Sequence, residues 1–370
     1  MPAAELYIGL MSGTSQDAID GVLAEFDASG QTHRLLAWHS QPLDEGLRRQ
    51  LDDLQVGGAR GELALAVQLH HQLGERFAEC ALSLMDTAGR RPVRAIGSHG
   101  QTVRHAPGGA APHSLQLGNP ALIAARCGAA VVSDFRNSDI AVGGQGAPLA
   151  PAFHQAAFAL TQAERAVLNL GGMANVSLLG SAGHPVRGWD TGPANVLLDG
   201  WASRHLGRNY DHNGQFARGG HVNDALLGAL LAHPFIDRAP PKSTGREMFN
   251  LAWLDTVLSG LPPLPPADVQ ATLAEFTAVS VATNLRQHRS LRDVLVCGGG
   301  VRNVDLMERI ARQLPWLKVR STADEGIDPQ HVEALAFAWL ARQRIHEAAL
   351  DLRHLTGAHR PAVLGCVYLP

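Results

Sequence analysis

The sequence predicts an α/β protein of two lobes built alike, and three observations carry that expectation. Apolar strands that end in small, hydrogen-bonding residues alternate with helical periodicities along the whole chain. Three strands in succession open the sequence, and a second set of the same kind recurs near its middle. The length of 370 residues, with 45% apolar and 18% charged side chains, exceeds what one core usually organises, so two packed lobes are the default. The expected lobes are 1–137 and 138–347, with 348–370 packing back on the first.

The first meander reads as ELYIGLM, then AIDGVLAEFD after the polar turn SGTSQD, then RLLAWHSQPL after the turn from Asp27 to Thr32. Helical periodicity follows across Gly46 to Gln55 and Glu62 to Met85, after which VRAIGSHGQTV reads as a strand running into a polar loop. The second meander is ERAVLNLGGMANVSLLG with VRGWDTG as its third strand. Pro193 lies just past the DTG turn, where a helix is expected to begin with proline in its first turn. The proline-dense GLPPLPPAD stops a helix and is short enough to be a connection inside a lobe. LRDVLVCGGGVRNVDLMERIARQL then gives a buried strand, a triple glycine and an amphipathic helix, followed by the short strand KVRS. Asp328 and Pro329 form a helix start before QHVEALAFAWLARQRI, which puts Glu333 in or near the first turn.

Composition excludes several classes of function. The formal charge is −3 and no basic run interrupts the chain, so nucleic acid is not an expected partner. Only Lys242 and Lys318 are lysines. The four cysteines form no CxxC pair, which argues against a disulfide framework and a cysteine zinc site and fits a reducing compartment. No signal peptide is legible, and no apolar stretch approaches the ~20 residues that span a bilayer, so a cytoplasmic protein is expected.

Four segments share one design, an apolar strand ending in a turn of small residues: LYIGLMSGTSQDAID, AVLNLGGMANVS, VRGWDTGPAN and VLVCGGGVRN. Without bulky side chains, backbone N–H groups can approach phosphate oxygens, and hydroxyls such as Thr14 and Ser15 add donors. Any one of these turns could be an ordinary glycine hairpin; their joint order favours a nucleotide cleft. That order resembles the actin/hexokinase/sugar-kinase superfamily, with its two-lobed, ribonuclease H-like fold around a central nucleotide and sugar cleft. MSGTSQDAID, SHGQTVRH, LQLGNPALIA, DFRNSDIAVGGQGAPL, NLGGMANVS, DTGPANVLLD, PKSTGREMFN, CGGGVRN and HVEALAFAWLA together resemble the anhydro-N-acetylmuramic acid kinases of bacterial cell-wall recycling. Ala18 stands where many relatives carry glycine.

The resemblance implies ATP and Mg2+ as cofactors, an amino-sugar substrate and a homodimer. It assigns nucleotide binding to Gly13, Thr14, Ser15, Gln16, Asp17, Ala18, Ile19 and Asp20 in a first phosphate hairpin, to Gly171, Gly172 and Asn175 in a second, and to Gly298, Gly299, Gly300 and Asn303 in a late adenosine turn. The implied reaction is unusual: water opens the anhydro bridge at the anomeric carbon while the released primary oxygen takes the γ-phosphoryl of ATP. Such chemistry needs a carboxylate base and an electrostatic clamp on the phosphoryl group. Asp190 matches the family's catalytic aspartate, its bland alternative being an Asp that caps its own turn. Glu333 is expected to hold or polarise the same water, although a helix-dipole glutamate would look alike. Arg136 could bind the sugar's carboxylate or lie on a solvated loop. His99, Gln101 and Thr102 offer groups for sugar hydroxyls, or bonds within the fold. Asp17 is the expected magnesium ligand and Asp20 a second candidate, with turn capping as the competing role for both.

Other readings fail on particular residues. Lys242-Ser243-Thr244-Gly245 looks like the tail of a Walker loop, but Pro241 replaces the required glycine. The triple glycine lacks the last glycine of a dinucleotide fingerprint, no HExxH is present, and Ser12 lacks the GxSxG elbow. Another phosphotransferase or a nucleotide-gated binding protein on the same fold stays open on fold alone.

Overall fold

In a computed structural model, residues 4–13, 16–27, 30, 32–56, 58, 60–89, 91–181 and 185–370 are described. The chain divides into two compact units, Met1–Ala157 with His331–Pro370, and Phe158–Gln330. The expected change of lobe after 137, and a second lobe running on to 347, differ from this division: the chain crosses at 157 and returns at 331.

In the first unit, strands β1 (Glu5–Ser12), β2 (Ala18–Phe26) and β3 (Thr32–Pro42) form the antiparallel meander. Helices α1 (Glu45–Val56) and α2 (Glu62–Ala88) follow. Strand β4 (Val93–Ala106) runs parallel to β1, and β5 (His113–Leu117) folds back on it as a hairpin. VRAIGSHGQTV, expected as a strand running into a polar loop, is therefore strand throughout. Helix α3 (Pro120–Cys127) starts on the Asn119 side chain, which accepts the Leu122 N–H at 3.1 Å, with Pro120 in the first turn. Strand β6 (Val131–Ser133), the short helix α4 (Phe135–Ile140) and α5 (Ala150–Phe158) complete the first passage. The sheet order is β12-β6-β4-β1-β2-β3, where β12 (Cys366–Tyr368) comes from the end of the chain and lies antiparallel to β6.

Both faces of β1 are covered, which is why it reads as a nearly continuous apolar run. Leu6, Ile8 and Leu10 pack in one core with Leu69, Leu73, Phe77, Ala81 and Leu84, the three- and four-residue spacing that makes the apolar stripe of α2. The other face carries α13 (Val332–Ile345), buried almost all round and therefore apolar all round. Two glycines permit this helix to sit so close: a Cβ at Gly9 would collide with the Ala334 carbonyl, and one at Gly97 with that of Phe337. This contact places α13, and Glu333 with it, in the first unit.

In the second unit, β7 (Glu164–Leu170), β8 (Met173–Leu179) and β9 (Arg187–Pro193) repeat the antiparallel meander. Strand β9 includes Pro193, and helix α6 (Asn195–Leu206) begins beyond it, so the proline ends a strand instead of opening a helix. Short helices α7 (Gln215–Arg218), α8 (Asp224–Leu231) and α9 (Pro234–Asp237) lead to α10 (Leu251–Ser259) and α11 (Pro266–Leu285). The proline-dense segment joins these last two, with Pro266 in the first turn of α11. Strand β10 (Leu291–Cys297), helix α12 (Val304–Gln313) and β11 (Lys318–Ser321) finish the unit. The order β11-β10-β7-β8-β9, with β10 parallel to both neighbours, matches β6-β4-β1-β2-β3 of the first sheet. Each unit thus has the ribonuclease H-like arrangement of a meander extended by parallel strands, and the fold is the two-lobed α/β class expected.

Helix α11 fixes β9 through three polar side chains spaced along one buried stripe. Asn284 accepts the Trp189 indole N–H at 2.9 Å, Ser280 donates to the Thr191 carbonyl at 2.9 Å, and Thr277 donates to that of Pro193 at 3.1 Å. These bonds flank Asp190.

Candidate active site

In the first unit, register places Ser12 opposite Ile19 and Met11 opposite Asp20, so Ala18, Ile19 and Asp20 already belong to β2. The Ile19 side chain lies in the core, which leaves only its backbone for a ligand. Gly13 follows β1 and its carbonyl accepts the Gln16 N–H at 3.2 Å; Thr14 and Ser15 lie outside the described residues. Gln16 takes a positive φ of 58° and is only 2% exposed. Neither its amide oxygen nor its amide nitrogen has a hydrogen-bond partner among the described residues. A buried amide in that state costs about 1–3 kcal/mol, which a ligand at the hairpin would recover. Asp17 is exposed, 3.7 Å from Arg48, while Asp20 accepts the Ser40 hydroxyl at 2.7 Å. Both carboxylates therefore lie at the surface beside the hairpin.

Strand β4 and helix α4 bring Arg136 and His99 together. The Arg136 Nε–H donates to His99 Nε2 at 3.0 Å and an Nη1–H donates to the Gly146 carbonyl at 2.7 Å. Nδ1 of His99 lies 2.8 Å from the Gly100 carbonyl, so Nδ1 carries the proton and Nε2 accepts. Burial, and then the Arg136 charge, hold the imidazole well below its ordinary pKa and neutral. Both nitrogens are engaged within the fold and the ring lies 4.7 Å from that of Phe337, so His99 orients Arg136. Arg136 sits on a helix instead of a solvated loop; burial draws its pKa down to about 10, opposed by the nearby Glu333 carboxylate. Gln101 is buried and accepts the Ser12 hydroxyl at 2.7 Å, so its Oε1 is already used within the fold. Thr102 is not brought to this group; its hydroxyl accepts from Gln116 at 3.1 Å.

In the second unit, the Gly171 and Gly172 carbonyls accept the Asn195 and Ala194 N–H groups at 3.1 and 2.9 Å, which locks the second hairpin to the start of α6. Asn175 on β8 lies opposite both Asn169 and Asp190. Gly298 has φ 82°, and a Cβ there would lie 2.8 Å from the Leu170 carbonyl, so the triple-glycine turn abuts the end of β7. Gly299 and Gly300 continue into a short 3₁₀ turn, and Asn303 caps α12 by accepting the Leu306 N–H at 3.0 Å. The Asn303 side chain is thus committed to the helix start.

Asp190 is half-buried on β9. Its Oδ2 accepts the Thr244 N–H at 2.9 Å, and its own N–H donates to the Lys242 carbonyl at 3.1 Å. Burial raises its pKa to about 6, the Glu247 carboxylate adds to the rise, and the Thr244 N–H and the Lys242 charge oppose it. A carboxyl group with these properties is ionised at neutral pH yet basic enough to take a proton, the requirement for a general base. It does not cap its own turn. Lys242, Thr244 and Glu247 were missed as functional residues because they lie about fifty positions downstream; the signal that could have found them is a lysine in a chain whose other positive residues are nearly all arginine.

Among the described residues no three His, Cys, Asp or Glu side chains gather as a metal site, and no helix is long and apolar enough to cross a membrane. The family profile for anhydro-N-acetylmuramic acid kinase matches residues 5–370. An anhydro-N-acetylmuramic acid kinase from Thiobacillus denitrificans is 50% identical over 367 residues, covering 99% of this chain and 97% of its own. One from Vibrio parahaemolyticus is 45% identical over 368 residues, covering 98% of each. Among solved structures, the activator of the 2-hydroxyisocaproyl-CoA dehydratase from Clostridium difficile with bound ADPNP is a distant likeness, 14% identical with a TM-score of 0.46 over 93% of this chain and 96% of that one.

Proposed function

The chain belongs to the anhydro-N-acetylmuramic acid kinase family, and on that premise we propose that it uses ATP to open the 1,6-anhydro ring of 1,6-anhydro-N-acetylmuramic acid and to phosphorylate the freed primary oxygen. The product is N-acetylmuramic acid 6-phosphate. The observation that supports the chemistry is Asp190, whose Oδ2 is pinned by a backbone N–H while its pKa is raised to about 6. Asp190 takes a proton from water as the water oxygen bonds to the anomeric carbon. The bond from that carbon to the bridging oxygen breaks, and that oxygen attacks the γ-phosphorus as ADP departs. Glu333 is the second carboxylate proposed for the reaction, and Arg136, oriented by His99, is the group proposed to bind the anionic substituent of the sugar through its guanidinium.

The Gln16 amide, which has no partner among the described residues, and the first glycine hairpin fit a nucleotide phosphate. Mg2+ fits the first hairpin as well: it needs only one or two carboxylates when waters and phosphate oxygens fill its other positions, and Asp17, exposed beside the hairpin, would hold it. Bound there, the ion would neutralise phosphate charge during transfer. A cytoplasmic homodimer is the assembly proposed. Oxygen-labelled water tests the reading: the label is expected on the anomeric hydroxyl of the sugar phosphate. Label in inorganic phosphate would mean that water attacks ATP, and would overturn it.

A further inference from the structure

Asp190 is gripped at two points by a segment that arrives from elsewhere in the second unit. The Lys242 carbonyl takes its N–H and the Thr244 N–H meets its Oδ2. Residues 238–245 form neither helix nor strand, so the grip is only as firm as whatever holds this strap. Lys242 holds it. Its side chain turns inward and is 5% exposed, and its ammonium donates to the Phe235 and Ile236 carbonyls at 3.2 and 2.9 Å, lying 4.7 Å over the Phe235 ring. Phe235 and Ile236 are themselves part of the unit's core. A continuous path thus runs from core to ammonium to strap to carboxylate. The site suits lysine: a compact ammonium fits two carbonyls above one ring, where the wider guanidinium fork would not.

We propose that Lys242 is a positioning residue for the Asp190 carboxylate, anchoring the 242–244 strap to the core and setting the charge that the carboxylate faces. The proposal rests on Asp190 being the base. Among the described residues Lys242 forms no salt bridge, so its positive charge acts on the charged groups around it, Asp237, Asp190 and Arg238, through the field. Asp190 faces two charged groups, Lys242 on the strap and the exposed Glu247 just beyond it; β8 offers it the uncharged Asn175, and α11 meets β9 through Thr277, Ser280 and Asn284. These two charges pull its proton affinity in opposite directions.

The test is the pH dependence of kcat and kcat/KM, with the KM for ATP and a thermal melt, for the wild type, Lys242→Met, Lys242→Gln, Glu247→Gln and Asp190→Asn. Both Lys242 variants should move the acid limb upward by about half a pH unit or more. They should also lower kcat about tenfold through misplacement of the carboxylate, while the KM for ATP stays within about twofold of the wild type, as expected for a change that leaves ground-state binding intact. Glu247→Gln, on the surface, should fold normally and move the limb downward. Lys242→Gln keeps an NH2 group that can donate to the carbonyls and so reports even where Lys242→Met prevents folding. Limbs that do not move, with Asp190→Asn inactive, overturn the positioning role alone. An active Asp190→Asn overturns the base assignment instead.

Discussion

Replacing Asp190 by asparagine should abolish turnover and make the protein more stable at neutral pH. Folding raises the carboxyl pKa from 3.8 to about 6, chiefly by burial. A raised acid pKa means that the native state favours the protonated form, so the stability contribution is complete below about pH 4 and is lost as pH rises through about 6. The shift of about two units, at about 1.4 kcal/mol each, bounds the loss at about 3 kcal/mol; partial access to water reduces it to about 1–2 kcal/mol. Asparagine keeps an oxygen for the Thr244 N–H and removes the charge. In a unit of this size the gain corresponds to about 3–6 °C in melting temperature. Turnover should fall about a hundredfold or more. The assay is a set of urea and thermal melts of both proteins from pH 4.5 to 8, beside ADP release coupled to the anhydro-sugar. A gap in stability that does not narrow as pH falls, or an asparagine variant no more stable than the wild type at pH 8, would refute the idea that burial tunes this base.

Two further perturbations read other parts of the molecule. Asp293, 2% exposed, receives Arg165 at 2.7 and 3.0 Å and Arg320 at 2.7 Å; Asp293→Ala would leave a buried guanidinium short of its partner and should cost about 3–5 kcal/mol in a urea melt. Gln16→Met keeps the side-chain volume and removes the orphaned amide, so the ligand-free protein should gain about 1 kcal/mol while ATP affinity by calorimetry drops about tenfold. Unchanged ATP affinity would place the nucleotide elsewhere.

Both meanders were legible because strand periodicity and turn residues are local signals, and the glycine turns located the ends of β1, β7 and β10 correctly. Asp190 was legible as the acid of a strand that leads into a turn. What surrounds it was not: the strap from Lys242 to Thr244 meets β9 only through the tertiary fold, and its lysine resembled the tail of a Walker loop. The sequence left His99 open between a ligand group and a bond within the fold, because it does not reveal that Arg136, 37 positions on, meets its second nitrogen. The placement of α13 was hidden for a related reason. Gly9 and Gly97 look like weak points in strands until a helix lies across them, and nothing near residue 332 names the sheet it covers.

That crossing helix has a consequence for how the chain comes into being. The second unit is one uninterrupted stretch, 158–330, whereas the first is closed by residues that begin at 331. On the ribosome, the sheet that holds the first hairpin must therefore wait, with the groove over Gly9 and Gly97 bare and the edge of β6 unpaired, while an entire second unit is synthesised and released to fold. Translation interrupted once the second unit is complete but before α13 leaves a nascent species with a sticky apolar sheet and a finished neighbour, the kind of intermediate that chaperones recognise. Order of synthesis and order of completion are reversed in this protein: what is made first is finished last.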